Sequence, residues 1–325
     1  MTGRIGSAVR GRWVLVALIV ATAMTAGAVY LTVAGGSSSA PGSSSGFATN
    51  CLAVGAAVNA PERVDGAGLN LFRKAADQLG PLSVRRSFDT SLPRTFAASA
   101  AGGDAAAGVH SFVSWKPPHG DFRGAAAGRY DRQVTAWARS VPKTGVYATA
   151  WHEPENDMSA ADFVALQRHL YTVVKAANPT IHWGPIYMAY WWDPNNPGHY
   201  VGDPAAWWPG AGYADFAGLD WYGPDPTPMT TSASFQNWYS TMTPAGVPLY
   251  ITEYGQYVVH GATRDPAKER ERIQAITQDA AWIAAHKRIR MWMYWDAVGA
   301  QGDWRLRDKA SQQAWGAVAE TGCRP

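Results

Sequence analysis

The 325-residue chain carries 28 Lys and Arg against 25 Asp and Glu, a formal net charge of +3. The excess lies wholly in residues 1–46, which contain Arg4, Arg10 and Arg12 and no acid, so residues 47–325 balance 25 bases against 25 acids. A neutral body lacks the basic stripe of a nucleic-acid binder, and 47% apolar with 16% charged residues excludes a disordered chain.

From Trp13 to Ala34 the chain runs for 22 residues without a charge. As a helix rising about 1.5 Å per residue, this run would cross a hydrocarbon layer of about 30 Å. The three Arg in front of it stay in the cytoplasm by the positive-inside tendency, which sends everything after Ala34 outward. Two uses of residues 1–34 stay open. They form a signal peptide cut at Ala26-Gly27-Ala28, or a signal anchor that remains in the membrane. The Gly/Ser-rich linker 35–46 suits a tethered domain better than a released one. The expected location is extracellular or at the cell surface, with membrane contact only through residues 13–34. Cys51 and Cys323 bracket everything after the linker. In an oxidising compartment their simplest use is a disulfide joining the two ends of one domain.

Residues 47–325 are close in number to the roughly 250 of a (β/α)8 barrel. Short apolar runs alternate with longer amphipathic stretches, the pattern of βα units around a parallel sheet. Eight candidate strands cover 51–58, 82–86, 109–114, 145–151, 181–186, 216–222, 248–253 and 289–295. The clearest helix spans 159–177, where Ser159 and Asp162 begin it, Phe163, Leu166 and Leu170 recur at helical spacing, and Asn178-Pro179 ends it. A second spans 265–286, and weaker helical patterns cover 69–79, 131–140, 235–242 and 311–320. Segments 89–108 and 187–215 carry no clear helical pattern. The fold expected is a single (β/α)8 TIM barrel, whose first strand and last helix are neighbours and so bring Cys51 to Cys323.

In such a barrel the reacting groups sit at the carboxyl ends of the strands. The fourth strand ends in Trp151-His152-Glu153-Pro154-Glu155, the sixth in Asp220-Trp221-Tyr222, the seventh in Thr252-Glu253-Tyr254 and the eighth in Tyr294-Trp295-Asp296. Glu153 and Glu253 thus stand on opposite sides of a barrel mouth. Two facing carboxyls are what glycoside hydrolysis needs, one to protonate the leaving oxygen and one to attack the anomeric carbon or activate water. Glu155 is the rival of Glu153, and after a Pro it is placed in the loop. Asp121, Asp157, Asp193 and Asp225 read first as solvated loop acids, with substrate hydroxyls as a second reading. The scheme needs no metal and no cofactor.

Glu at the ends of strands four and seven resembles the large clan of retaining (β/α)8 glycosidases. The His152-Glu153 pair is most similar to glycoside hydrolase family 26, the β-mannanases and related endo-β-glycanases. Ser114-Trp115, Gly128-Arg129-Tyr130-Asp131, Trp207-Trp208-Pro209-Gly210, Gly218-Leu219-Asp220-Trp221-Tyr222 and Ile251-Thr252-Glu253-Tyr254-Gly255 resemble that family's landmarks in the same order. The resemblance implies that Glu153 is the acid/base and Glu253 the nucleophile. It implies further that His152 supports the acid/base or its sugar, that Tyr222 hydrogen-bonds the nucleophile, and that Trp295 forms the floor under the sugar being cleaved. Thr149 stands where the family usually has Arg, and Pro154-Glu155-Asn156 where it has Met-Asn-Gly, so mannan, glucan and xylan stay open as substrates. Strict alternation would point His152 and Glu153 to opposite faces, which a bulge or an early strand end would reconcile.

The 16 Trp are a heavy load for one domain. Flat sugar faces stack on aromatic rings, and Trp115, Trp191 and Trp192 are read as further substrate contacts. The enzyme expected is a monomeric retaining endo-β-glycosidase acting on a neutral polysaccharide or oligosaccharide. The alternative is a carbohydrate-binding or cell-wall-associated protein that keeps the barrel without turnover.

Overall fold

A computed structural model describes residues 51–58 and 67–323. The export segment and linker expected at 1–46 lie outside the described residues, among which no helix is long and apolar enough to cross a membrane. The strands of the main sheet are β1 Ala53–Val58, β2 Val84–Asp89, β3 His110–Trp115, β4 Val146–Ala150, β5 His182–Trp183, β6 Ile186–Met188, β7 Ala217–Gly223, β8 Leu249–Gln256 and β9 Ile289–Asp296, and a short antiparallel pair, Val298–Gly299 with Gly302–Asp303, follows them. The helices are α1 Ala67–Leu79, α2 Phe122–Ala126, α3 Asp131–Ser140, α4 Ala160–Ala177, α5 Ala233–Met242, α6 Pro266–Ala285 and α7 Lys309–Glu320.

All nine strands pair in parallel in the order β5-β4-β3-β2-β1-β9-β8-β7-β6, the curled sheet of a TIM-barrel-like α/β fold. The two edge strands are consecutive in the chain, with β5 on β4 and β6 on β7. Only Gly184-Pro185 separates them, so one interrupted strand supplies both edges. The sequence reads this stretch as a single strand, and the local chemistry divides it. Pro185 has no N–H for a ladder, and a Cβ on Gly184 would lie 2.3 Å from the Phe216 carbonyl oxygen.

Alternation sorts the strand residues into two layers. Ala53, Val84, Phe112, Tyr147, Ile186, Phe216, Tyr250, Met291 and Met293 pack together inside the sheet's curl, while their neighbours face the helices. Parallel strands covered on both faces read as near-continuous apolar runs, as β1 (AVGAAV) does. The helix boundaries follow their caps. The Ser159 hydroxyl accepts the Asp162 N–H at 3.2 Å to start α4, and Asp265 accepts the Ala267 N–H at 2.8 Å ahead of Pro266, the first residue of α6. Between Asp89 and Gly108, and from Ala189 to Asp215, the only helical structure is short 3-10 turns.

The end of α7 returns to the start of β1. Cys323 N–H donates to the Leu52 carbonyl at 2.8 Å, and Cys51 and Cys323 form a disulfide with their Cα atoms 5.4 Å apart. The bond closes a loop of 272 residues, so most of its effect falls on the entropy of the unfolded chain. Paired Cys51→Ser and Cys323→Ser substitution is expected to cost about 2–5 kcal/mol in equilibrium unfolding while leaving the distant cleft unchanged in ligand binding.

Candidate active site

A cleft of about 870 Å³ opens at the carboxyl ends of the strands, and Phe88, His152, Glu153, Tyr222, Glu253 and Trp295 line it. Two breaks in regular backbone bring to the cleft side chains that strict alternation would turn away. Strand β4 ends at Ala150, after which Trp151 and Glu153 adopt left-handed conformations with φ of 60° and 54°. Such conformations cost of order 1–3 kcal/mol each for side-chain-bearing residues and persist only where their surroundings impose them. Here Trp151 N–H donates to the Trp115 carbonyl at 2.9 Å and Glu153 N–H to the Ile186 carbonyl at 3.0 Å. The Trp151 indole N–H is held by Asp157 at 2.7 Å. The double kink brings His152 and Glu153 both to the cleft.

On β8 a bulge performs the same task. The register against β7 runs Leu219 with Ile251 and then Asp220 with Glu253, omitting Thr252. Tyr250 faces the interior and Ile251 the helices. The extra residue lets Thr252 and Glu253 both serve the cleft side, where Thr252 Oγ1 donates to Asp220, before Tyr254 returns to the outer core.

Glu153, Asp220 and Glu253 each place a carboxylate oxygen within 4.8 Å of the other two. Three anions cannot share so small and dry a space. Burial, then the charges of Glu253 and Glu155, push Glu153 up to about 8. Burial, then the charges of Glu253 and Glu153, hold Asp220 well above the usual carboxylate range. Burial also raises Glu253, but Arg86, Tyr222 and an Asp220 hydrogen bond oppose the rise. The Tyr222 hydroxyl donates to Glu253 Oε2, and Arg86 Nη2 stands 3.5 Å from Oε1. Asp220 Oδ2 and Glu253 Oε1 are buried without a hydrogen-bond partner while both groups are ionised, and a proton on Asp220 supplies a hydrogen bond between the two carboxyls. The site therefore balances one guanidinium against one carboxylate, Glu253, with protons on the other two. Three carboxylates clustered in this way also form a set that could hold a metal ion.

Arg86 was not singled out in the sequence. It is fully buried, its guanidinium 4.3 Å from the Phe88 ring centre and donating to Ser114 Oγ at 2.6 Å. The signal was the pair Arg85-Arg86 inside a buried parallel strand, since buried charges require partners. His152 packs 5.4 Å from Phe88; burial, Arg86 and Lys116 lower it well below the usual imidazole value and keep it neutral. Trp295 completes this wall, 5.6 Å from Phe88 and 6.2 Å from Tyr222 between ring centres.

The other aromatic expectations are corrected. Trp115 points outward from β3 into the helix-side core, edge-on to Trp137 at 5.7 Å. Trp191 packs edge-on against His199 at 5.1 Å beside the cleft. Trp192 is fully buried and donates its indole N–H to Glu155 at 2.7 Å. Residues 189–192 form a 3-10 turn, in which residues three apart eclipse; Ala189 and Trp192 share the buried face, and Tyr190 is the ring that reaches the cleft. Glu155 does not line the cleft. It also accepts the Met188 N–H at 3.1 Å, which ties the loop bearing Glu153 to the loop after β6.

The sequence matches no protein-family model and no curated protein. Solved structures do resemble it. A family 39 glycoside hydrolase from the gut symbiont Bacteroides cellulosilyticus WH2 aligns with a TM-score of 0.57 at 12% identity, over 83% of this chain and 64% of that one. The catalytic domain of a family 26 endo-β-1,4-mannanase from Bacillus sp. JAMB-750 aligns with a TM-score of 0.52 at 15% identity, over 83% and 86%. A fungal β-1,4-galactanase gives 0.51 at 12% identity, over 75% and 89%. At such identities the likeness establishes the shared fold, and it does not single out family 26.

Burial pushes the Glu155 carboxyl from 4.5 up to about 8. Between these values the folded protein keeps a proton that the unfolded chain has lost, so this group's contribution to stability falls as pH rises from about 4.5 to about 8 and then levels off. In urea unfolding, Glu155→Gln is expected to gain on the wild type across that interval and to hold a constant lead above it. Glu155→Ala strands two buried N–H groups and is expected to lose about 1–3 kcal/mol.

Proposed function

We propose that the protein is a retaining β-glycosidase acting on a neutral β-linked glycan, with Glu253 as nucleophile and Glu153 as acid/base. One observation carries this reading: two carboxyls face each other across the cleft within the 4.8 Å cluster, one favoured as acid and the other as anion. A retaining pair needs carboxyl groups about 5–5.5 Å apart, against about 6.5–9.5 Å for inversion.

In the first step Glu253 attacks the anomeric carbon while the Glu153 proton passes to the departing glycosidic oxygen. In the second, Glu153, now ionised, takes a proton from water, whose oxygen attacks the same carbon and releases Glu253. Tyr222 and Arg86 hold Glu253 in position and spread its charge. Trp295 lies under the sugar at the cut. The cleft lining includes Asp193, Asp220 and Asp225 beside the two Glu and no Lys or Arg, which disfavours uronates and sulfated glycans and suits a neutral chain bound by stacking and hydrogen bonds. The volume, near the upper end of the about 300–1,000 Å³ of small-molecule pockets, suits an oligosaccharide segment. The Cys51–Cys323 bond supports an exported, oxidising location.

Glu253→Ala is expected to abolish cleavage, and azide to restore turnover with an α-glycosyl azide as product, because a single displacement inverts the centre. Intact hydrolysis of a β-glycan panel by this variant would sink the assignment. On an unactivated oligosaccharide, kcat/KM is expected to fall about tenfold per unit above pH 8 as Glu153 loses its proton. A 2,4-dinitrophenyl glycoside, whose leaving group departs without a proton, is expected to flatten that alkaline limb.

A further inference from the structure

Among the described residues, Tyr190 is the most exposed large apolar side chain, at 53%, and it lines the cleft. Its neighbours in the chain are firmly anchored. Ala189 and Trp192 are buried, Trp192 is bonded to Glu155, and Asn237 Nδ2 donates to the Trp192 carbonyl at 2.9 Å. The Val201 N–H donates to the Trp191 carbonyl at 2.9 Å. His199 supports the Tyr190 ring at 4.9 Å between centres, tilted by 39°. An aromatic ring is thus held still with much of its surface open, and a ring so ordered can stack on a ligand at little further entropic cost.

Its surroundings specify the ligand. Asp193 and Asn196 line the same wall; a carboxylate and an amide beside an aromatic face match the equatorial hydroxyls and flat C–H face of a pyranose. The loop that carries Tyr190 follows β6, the ring position between β4 and β7. Tyr190 therefore stands on the Glu153 side of the cleft, away from Trp295 on β9. The acid protonates the oxygen of the departing portion, so sugars beyond that oxygen lie on the acid's side.

We propose that Tyr190, with Asp193 and Asn196, forms a subsite for a pyranose unit of the departing, reducing-end portion of the substrate. This rests on the glycosidase reading above. It also gives the loop after β6 a purpose other than the one read from its Trp pair.

The test compares Tyr190→Ala with wild type on manno-, cello-, laminari- and xylohexaose and on the matching 2,4-dinitrophenyl β-disaccharides, in which the aryl group replaces the departing sugars. The ratio of kcat/KM for the hexasaccharide to that for the aryl disaccharide is expected to fall about tenfold, and Tyr190→Phe to restore most of it. General damage to the fold would lower both rates together and leave the ratio unmoved. An unmoved ratio overturns the subsite. If wild type cleaves none of the four, calorimetric titration of the same hexasaccharides decides. Binding weakened about tenfold by Tyr190→Ala keeps the platform and overturns the hydrolase reading, whereas binding indifferent to Tyr190, or no binding at all, overturns the platform.

Discussion

Three carboxyl groups buried beside one guanidinium at the mouth of a barrel impose the charge state on which the site's chemistry depends. In water Glu153, Asp220 and Glu253 would all ionise. Within the 4.8 Å cluster only as many charges persist as Arg86 can offset, because desolvation and mutual repulsion act together. The charge settles on Glu253, which alone has both Arg86 and the Tyr222 hydroxyl. Glu153 and Asp220 keep their protons. An acid and an anion then face each other at neutral pH, and the proposed double displacement starts from this division.

The fold reaches the arrangement by departing from regularity at two points. A regular β4 would turn His152 toward the helices, and a regular β8 would do the same to Glu253. Left-handed residues after β4 and the omitted register position at Thr252 correct each direction. The strain at Trp151 and Glu153 is held by backbone hydrogen bonds to β3 and β6 and by Asp157. The surrounding barrel, packed through Phe112, Tyr147, Phe216 and Tyr250, gives those bonds a rigid base.

The aromatic residues divide their labour by burial. Trp115 and Trp192 stiffen the layer behind the cleft, and Trp192 does so through Glu155, a carboxyl on the same loop as Glu153 that does not line the cleft. Tyr190, Tyr222 and Trp295 face the cleft. Glu155 lies two residues from Glu153 and has nearly the same shifted titration, yet its hydrogen bonds point into the protein. A perturbed carboxyl near a site is therefore not enough to assign a role; where its oxygens point decides.

Local pattern was sufficient for whatever depends on period and composition. The alternation of strands and helices, the α4 and α6 caps, and the presence of Glu, His, Tyr and Trp at strand ends all follow from residues near one another in the chain, and the pairing of Cys51 with Cys323 follows from that alternation once the sheet curls. Four things required the tertiary structure. Gly184 stands in the break of strand five because the backbone of Phe216 leaves no room for a side chain there, and Glu253 turns inward because β8 slips against β7. Arg86 matters because folding sets it beside Glu253. Trp191 and Trp192 give way to Tyr190 because a 3-10 turn, not a strand or an α-helix, sets which side chain emerges. Each depends on a partner distant in sequence, and periodicity within a segment carries no information about the surface that the segment will meet.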